Sequence, residues 1–274
     1  MQPTFTIITP AYNSANTIRD TINSVLAQKG VRIELIVIDG NSTDMTVEIV
    51  EKYQDERLLL ISEPDQGIYD AMNKGLRMAS GEFVGILNSD DYFVHPWVLL
   101  EVANKFHKTQ ADAVYGDINF VAPDNPHRIT RIWKSGAFRA SKFLFGWMPP
   151  HPAFFTRLIC YKRYGLFDID LKSSADYELM LRFLYKHRLR AAYLPSVVTH
   201  MRTGGQSSAT WRNRLRANRE DHAAWRKNGL RPLPITILMK PIRKIPQFWV
   251  FHNKTSARYF FPAVLEERPH PVTD

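Results

Sequence analysis

The 274-residue chain has a single cysteine, Cys160, so no disulfide can form within it, and a lone thiol in a chain of this size fits a reducing compartment. The cytoplasm is the expected location. No run approaches the roughly 18 uninterrupted apolar residues of a membrane span. The opening Met1-Gln2-Pro3-Thr4-Phe5 shows no basic stretch ahead of an apolar run and no small-residue cleavage site, so a secretory signal is not expected. Internal repeats and low-complexity linkers are also missing. What is left is a chain long enough for one large α/β domain with a short appendage, soluble or at most peripheral to a membrane.

Charge is unevenly placed. Residues 211–274 hold 13 Lys and Arg against 5 Asp and Glu, which is +8 of the net +9, while the first 210 residues are nearly neutral. Such asymmetry points the C-terminal segment at something anionic: a membrane surface, a polyphosphate lipid or nucleic acid; a merely solvated basic surface is the alternative.

Phe5-Thr6-Ile7-Ile8-Thr9 and Glu34-Leu35-Ile36-Val37-Ile38 read as strands that end at Pro10 and Asp39-Gly40. Between them Ile18, Ile22, Val25 and Leu26 recur at helical spacing behind Asn16-Thr17, which makes a βαβ unit. The pattern repeats through a helix after Ser42-Thr43-Asp44, a strand at 58–61, a helix at 70–79 and a strand at 83–87. Alternation of this kind predicts a mainly parallel central sheet flanked by helices. Ligands of such sheets lie beyond the carboxyl ends of the strands, so Thr9-Pro10-Ala11-Tyr12-Asn13, Asp39-Gly40-Asn41-Ser42 and Asn88-Ser89-Asp90-Asp91 are expected to line one crevice.

Adjacent carboxylates after a buried strand repel unless solvated, protonated or bridged by a cation, and Asp90-Asp91 suits a hard divalent ion sharing diphosphate oxygens. Read alone, the pair suits a helix cap equally well. Asp176, behind Ser173-Ser174-Ala175 at a predicted helix start, is either a cap or a general base. In Ser62-Glu63-Pro64-Asp65-Gln66-Gly67-Ile68-Tyr69-Asp70-Ala71-Met72-Asn73-Lys74-Gly75, a Gly turn precedes a helix on which Asp70, Asn73 and Lys74 are read as one face, for a nucleotide or for capping.

Taken in order, these four segments closely resemble family 2 glycosyltransferases, over roughly residues 4–210. The resemblance implies a GT-A fold, a nucleotide-sugar donor, most readily a UDP-sugar, and inversion at the anomeric carbon. By matching position, Pro10, Tyr12 and Asp39 are expected to bind the nucleoside, with Thr9 and Ala11 in the same nucleotide-sugar site. Asp65, Asp70, Asn73, Lys74, Ser89 and Asp90 are expected around the donor, Asp91 on a divalent cation (Mn²⁺ or Mg²⁺), and Asp176 as the base. Many relatives carry a second acid where Gly40 stands and Glu-Asp where this chain has Ala175-Asp176. His200-Met201-Arg202-Thr203-Gly204-Gly205-Gln206-Ser207, expected to follow the last strand at 192–198, resembles a Gly-Gly-x-Ser segment of the subgroup. His200 is a candidate cation or diphosphate ligand, and Gly204, Gly205, Gln206 and Ser207 are candidates for the diphosphate. Trp147 and His151 lie where the acceptor is usually received.

The expected division is a transferase domain over 1–210 and a basic helical extension over 211–274. The stretch from Pro232 to Pro246 and Phe248-Trp249-Val250-Phe251 mixes apolar residues with Arg231, Lys240, Arg243 and Lys244, as segments at a membrane interface do. A glycan or polyprenyl-linked acceptor at the inner face of the cell membrane is expected from that, in surface polysaccharide or glycolipid assembly. The competing reading is a non-catalytic nucleotide-sugar-binding partner or scaffold. Nucleic acid is not expected, since the basic stretch has no recognition motif.

Overall fold

Strand β1 (Thr4–Ala11) carries Phe5, Ile7 and Ile8 with no solvent exposure, as an inner strand covered on both faces requires. The structure, a computed structural model, describes residues 2–204 and 211–234, with residues 236, 239 and 247. Helix α1 (Ile18–Leu26) leads to β2 (Arg32–Asp39), α2 (Thr46–Glu51) to β3 (Leu58–Ser62), and α3 (Ile68–Met78) to β4 (Phe83–Ile86). A short β5 (Tyr92–Phe93), helix α4 (Val98–Thr109) and the hairpin β6 (Ala113–Ala122) and β7 (Asn125–Trp133) come after them. Next are β8 (Phe154–Arg157), α5 (Leu158–Tyr164), α6 (Ala175–Met180) continued by a π-helical stretch Leu181–Lys186, β9 (Ala191–Arg202) and α7 (Trp211–Lys227).

The sheet runs β3-β2-β1-β4-β8-β6-β9-β5, with β7 on β6. From β3 to β4 all pairings are parallel, as the repeating pattern predicts. The second half departs from it: β8 is antiparallel to β4 and β6, β5 to β9 and β7 to β6, while β6 and β9 are parallel. The reason is local. The turn after Ala122 makes β6 and β7 a hairpin, which can only be antiparallel. Neither β7 nor β8 shows a strand signal in the sequence, because β7 has no fully buried residue and β8 is four residues long.

Successive residues of an inner strand face opposite sides. Phe5, Ile7, Leu35 and Val37 pack with Ile18, Ile22 and Val98 on one face, and Ile8 packs with Met72, Leu76 and Met180 on the other. Helix α3 lies very close to β1: a Cβ at Gly75 would stand 2.5 Å from Ile8 Cγ2. The expected boundary at 210 falls between β9 and α7, yet α7 is no detached extension. Ala224 and Trp225 are fully buried, and Trp225 Nε1 donates to the Tyr177 hydroxyl on α6 at 3.0 Å. Most of the amphipathic stretch expected at 232–251 lies outside the described residues.

Alanine favours a helix over glycine by about 1 kcal/mol. At position 75 the sign is expected to reverse, with Gly75→Ala losing about 1–3 kcal/mol to overpacking against Ile8. A thermal melt showing an unchanged or higher Tm would refute that close contact.

Candidate active site

Because β1, β2 and β4 point the same way, the segments beyond their carboxyl ends meet. Asn13 N donates to Ser42 Oγ and Thr43 N to Asn13 Oδ1, both at 2.8 Å, and the hydroxyls of Ser14 and Ser89 are 2.7 Å apart. The three polar clusters therefore form one crevice, as expected. Asn13 and Asn41 hold the left-handed turns there, with φ of 49° and 64°, a conformation Asn tolerates better than most residues. Thr9, Pro10 and Ala11 are buried and form its floor, whereas Tyr12 is 53% exposed at its edge.

Asp39 is fully buried at the end of β2. Its Oδ2 accepts from Ser42 N at 2.9 Å and Ser62 Oγ at 2.7 Å, and its Oδ1 accepts from the Ser42 hydroxyl. This carboxylate closes the turn after β2 and ties it to β3. The neighbouring loop is held from α3. Lys74 Nζ bonds Glu63 at 2.8 Å and the Pro64 carbonyl at 2.7 Å, and Asp70 Oδ2 accepts from Gln66 N at 3.1 Å. Asp70 and Lys74 thus brace the loop that presents Asp65.

Asn73 is not on that face. It is buried, its Nδ2 donates to the Phe167 carbonyl and its Oδ1 accepts from Phe167 N, each at 2.9 Å. The i, i+3 spacing groups it with Asp70, but the packed side of the helix begins one position away from Lys74. Its expected donor contact is replaced by a tie between α3 and the loop before α6.

The turn after β4 concentrates charge. Burial raises the Asp90 carboxyl above its ordinary value, with Arg202 acting against it. Asp91 is fully buried and held well above the usual carboxylate range, first by burial and then by the charge of Asp90. Asn88 Nδ2 donates to Asp91 Oδ2 at 3.1 Å, while Asp91 Oδ1 is buried with no partner. A hard divalent cation fits this set: two carboxylates that disfavour joint ionisation, and one orphaned oxygen.

His200 does not join them. Strand β9 runs to Arg202, four residues past the expected end, so His200 pairs within the sheet, opposite Asn119 and Tyr92. Its Nδ1 lies 3.3 Å from the Tyr92 hydroxyl and its Nε2 3.5 Å from Asn119 Nδ2. Among the described residues, no three His, Cys, Asp or Glu side chains converge to hold a metal. Both ring nitrogens face protein partners.

Asp176 stands in the first turn of α6, and Tyr69 of α3 donates to its Oδ1 at 3.2 Å. Tyr69 stacks on Phe167 at 5.7 Å, and His151 meets the same ring edge-on at 5.6 Å. Burial holds the His151 imidazole below its ordinary pKa, with the Asp176 charge opposing. Helix α7 and the residue after it grip the other side of this turn: Glu220 Oε2 accepts from Ser173 N at 2.7 Å, and Asn228 Nδ2 donates to Glu178 Oε1 at 2.9 Å. The Asp176 carboxylate is thus oriented by Tyr69, on a turn held in place from its other side.

Residues 6–163, more than half of the chain, match the model for glycosyl transferase family 2. The chain belongs to family 2 of the glycosyltransferases. This transferase is 31% identical over 212 residues to a PGL/p-HBAD biosynthesis glycosyltransferase of Mycobacterium bovis BCG, covering 76% of this chain and 80% of the relative. It is 33% identical over 130 residues, 47% of this chain and 50% of the other, to the Escherichia coli UDP-Glc:alpha-D-GlcNAc-diphosphoundecaprenol beta-1,3-glucosyltransferase WfaP. Two solved structures share its GT-A fold. One is S. aureus TarS 1-349 in complex with UDP-GlcNAc (TM-score 0.65, 24% identity, 83% of this chain and 65% of that one). The other is the mannosyltransferase PcManGT from Pyrobaculum calidifontis with GDP-Man and Mn²⁺ (TM-score 0.63, 20% identity, 89% and 70%). The transferase thus spans just under two thirds of that TarS fragment.

Trp147, expected at the acceptor, is instead a core residue of the transferase. It is 6% exposed, donates from Nε1 to the Ser135 carbonyl at 3.1 Å and packs against Tyr115 and Phe143. Gly204 has φ of 105° and its expected partners Gly205, Gln206 and Ser207 lie outside the described residues. Two residues of the site escape a reading of the sequence. Tyr69 is inconspicuous inside its own motif, and Arg202 inside a segment that draws notice for its His and Gly. Arg202 Nη1 donates to the Asp90 carbonyl at 2.7 Å, its other nitrogen pairs with Asp20, and its guanidinium lies 5.0 Å from the Tyr92 ring.

Burial, assisted by His127, pushes the His200 pKa down to about 4, from an ordinary value of about 6.5. Its neutral ring supports the fold above pH 6.5, and that support is expected to drain away as pH falls toward 4. His200→Gln should flatten the fall in denaturant midpoint over this window. An equally steep fall in the variant would place the acid sensitivity elsewhere.

Proposed function

We propose that this glycosyltransferase moves a sugar from a nucleotide diphosphate donor, a UDP-sugar foremost, to a hydroxyl of a lipid-linked glycan acceptor, inverting the anomeric carbon. The observation that carries the reading is the double attachment of α3. Its Asp70 and Lys74 brace the loop beside the β1–β2–β4 crevice, and its Tyr69 reaches Asp176. Donor pocket and base are thereby held in one frame.

In this reading Asp176, oriented by the Tyr69 hydroxyl, accepts the proton of the acceptor hydroxyl as that oxygen attacks C1 of the sugar. The bond from C1 to the diphosphate oxygen breaks on the opposite face, so one displacement suffices and the sugar inverts. Asp91, with Asp90, would hold a divalent cation, Mn²⁺ or Mg²⁺, which when bound neutralises charge on the departing diphosphate. Ser89 positions the acidic turn through Ser14. Tyr12 offers its exposed ring to the base of the nucleotide, and His151 stands beside Asp176 on the acceptor side. UDP-GlcNAc in TarS, and GDP-Man with Mn²⁺ in PcManGT, support a donor and ion of these classes.

A diphosphoundecaprenol acceptor in the E. coli relative, together with the basic C-terminal segment, supports a lipid-linked acceptor at an anionic membrane surface on the cytoplasmic side. Among the described residues no helix is long and apolar enough to cross a membrane. Attachment would be peripheral.

A screen of UDP-, GDP- and dTDP-sugars with and without Mn²⁺ tests the donor half. Asp91→Ala is expected to lose cation-dependent binding, and Asp176→Asn to keep binding while turnover falls by about 10²–10⁴-fold. If no nucleotide sugar binds under any condition, the reading fails. For the membrane half, the full-length protein is expected to sediment with vesicles containing anionic lipid at low salt and to release at high salt. No binding at low salt would remove the membrane from the scheme.

A further inference from the structure

Helix α7 buries one face and gives the other to a single sign of charge. Ala224, Trp225 and Asn228 are buried, whereas Arg216, Arg219, His222 and Arg226 are exposed. Steps of three and four residues make these four neighbours along the outer side of the helix. From Arg216 to Arg226 the row is about 15 Å long at the rise of an α-helix. Its first end lies beside the turn that carries Asp176, since Ser174 Oγ donates to the Ala217 carbonyl at 3.3 Å.

The far end of the row is firmly built. Gly229, with φ of 68°, closes the helix: its N–H donates to the Arg226 carbonyl at 2.9 Å and that of Leu230 to the Trp225 carbonyl at 2.8 Å, the paired bonds of a glycine C-cap. The chain then turns back along the helix, with Leu230 packed against the core and the Thr236 hydroxyl donating to the Leu144 carbonyl at 2.6 Å. Between helix and returning chain is a cavity of about 410 Å³ lined by His222, Arg226, Leu230, Arg231 and Leu233. No acid lines it, and His222, Arg226 and Arg231 form no ion pair among the described residues. Lys227, by contrast, is taken up by Asp168 and Asp170. Leu233, on the apolar side of the cavity, is 40% exposed.

Unpaired cations around a partly apolar hollow suit an amphiphile with an anionic head. A guanidinium presents a planar fork of N–H donors to phosphate oxygens, and leucine beside it suits the apolar part of a lipid. We propose that the outer face of α7 lies on an anionic bilayer and that the cavity between Arg226 and Arg231 receives the phosphate of one bilayer phospholipid, of the phosphatidylglycerol class. The inference rests on the membrane half of the proposed function and names its surface and its ligand. The phosphate belongs to the bilayer and not to the acceptor, because the cavity lies at the end of the row away from the Asp176 turn, farther than a phosphate attached to a sugar held at Asp176 would reach. With α7 lying flat, that turn stands at the edge of the membrane contact.

The test is sedimentation of the full chain with phosphatidylcholine vesicles, with and without phosphatidylglycerol, at low salt. The wild type is expected to bind only the anionic vesicles. The double variant Arg226→Gln/Arg231→Gln should bind them about 10–30-fold more weakly, with Tm and donor hydrolysis in solution kept. Lys162→Gln/Arg163→Gln removes the same charge from two exposed residues of α5 and should stay within about three-fold of the wild type. Leu233→Ser should weaken vesicle binding while leaving its salt dependence unchanged. Undiminished binding by the Arg226/Arg231 variant, or an equal loss in the α5 variant, would overturn the proposal while leaving the membrane reading standing. Release from the vesicles by inorganic phosphate, beyond that caused by chloride at equal ionic strength, would show a site for free phosphate and overturn it as well. Failure of the wild type to bind phosphatidylglycerol vesicles would bring down the membrane reading and this inference together.

Discussion

The seating of α3 on β1 is the contact on which the rest of the site depends. Gly75 has no side chain, so the helix approaches Ile8 more closely than any other residue at that position would permit. From that anchor the helix works in three directions. Asn73 ties down the chain at Phe167, Tyr69 reaches Asp176, and Asp70 with Lys74 holds the loop that carries Asp65. A shift of α3 by a fraction of an ångström would move all three together, because cores pack too densely to absorb it locally. The loop that carries Asp65 and the Asp176 carboxylate are consequently not independent features but are held by one helix.

A second constraint is electrostatic. The Asp90-Asp91 turn is buried next to a cation, Arg202. Its guanidinium bonds the carbonyl of Asp90 and the side chain of Asp20, and lies against Tyr92. The Arg202 guanidinium therefore fixes the path of the turn and lowers the cost of burying it. The orphaned Asp91 Oδ1 is what that arrangement leaves over.

Much of this is legible in the sequence because parallel strands announce themselves. Buried on both faces, β1, β2 and β4 are short apolar runs, and the polar residues after each run meet because the strands share a direction. The order of the acidic clusters then picks out the turn after β4 and Asp176 as the candidate site. Asn73, Trp147 and His200 are misplaced by the sequence for a common reason: composition names a polar or aromatic group but not the side of the element it faces. Trp147 sits among prolines, where nothing in the spacing marks it as core, and His200 reads as a loop residue because β9 keeps few fully buried residues. Tyr69 and Arg202 go unnoticed because their partners, Asp176 and Asp90, lie 107 and 112 residues away. Contacts of that range have no periodicity to read.

Helix α7 shows how a basic segment can belong both to the fold and to the surface. Its two acids point inward in effect: Glu220 accepts from Ser173 and Asp221 is buried beside Tyr177. Among its described cations, Arg216, Arg219 and Arg226 are left exposed. Lys227 is exposed as well but paired, with Asp168 at 2.6 Å and Asp170 at 2.9 Å. Sorting of this kind makes the outer face more positive than the helix composition implies, while the inner face holds the turn that carries Asp176. The proposed engagement of an anionic membrane would then press on the same helix that packs against the turn carrying Asp176.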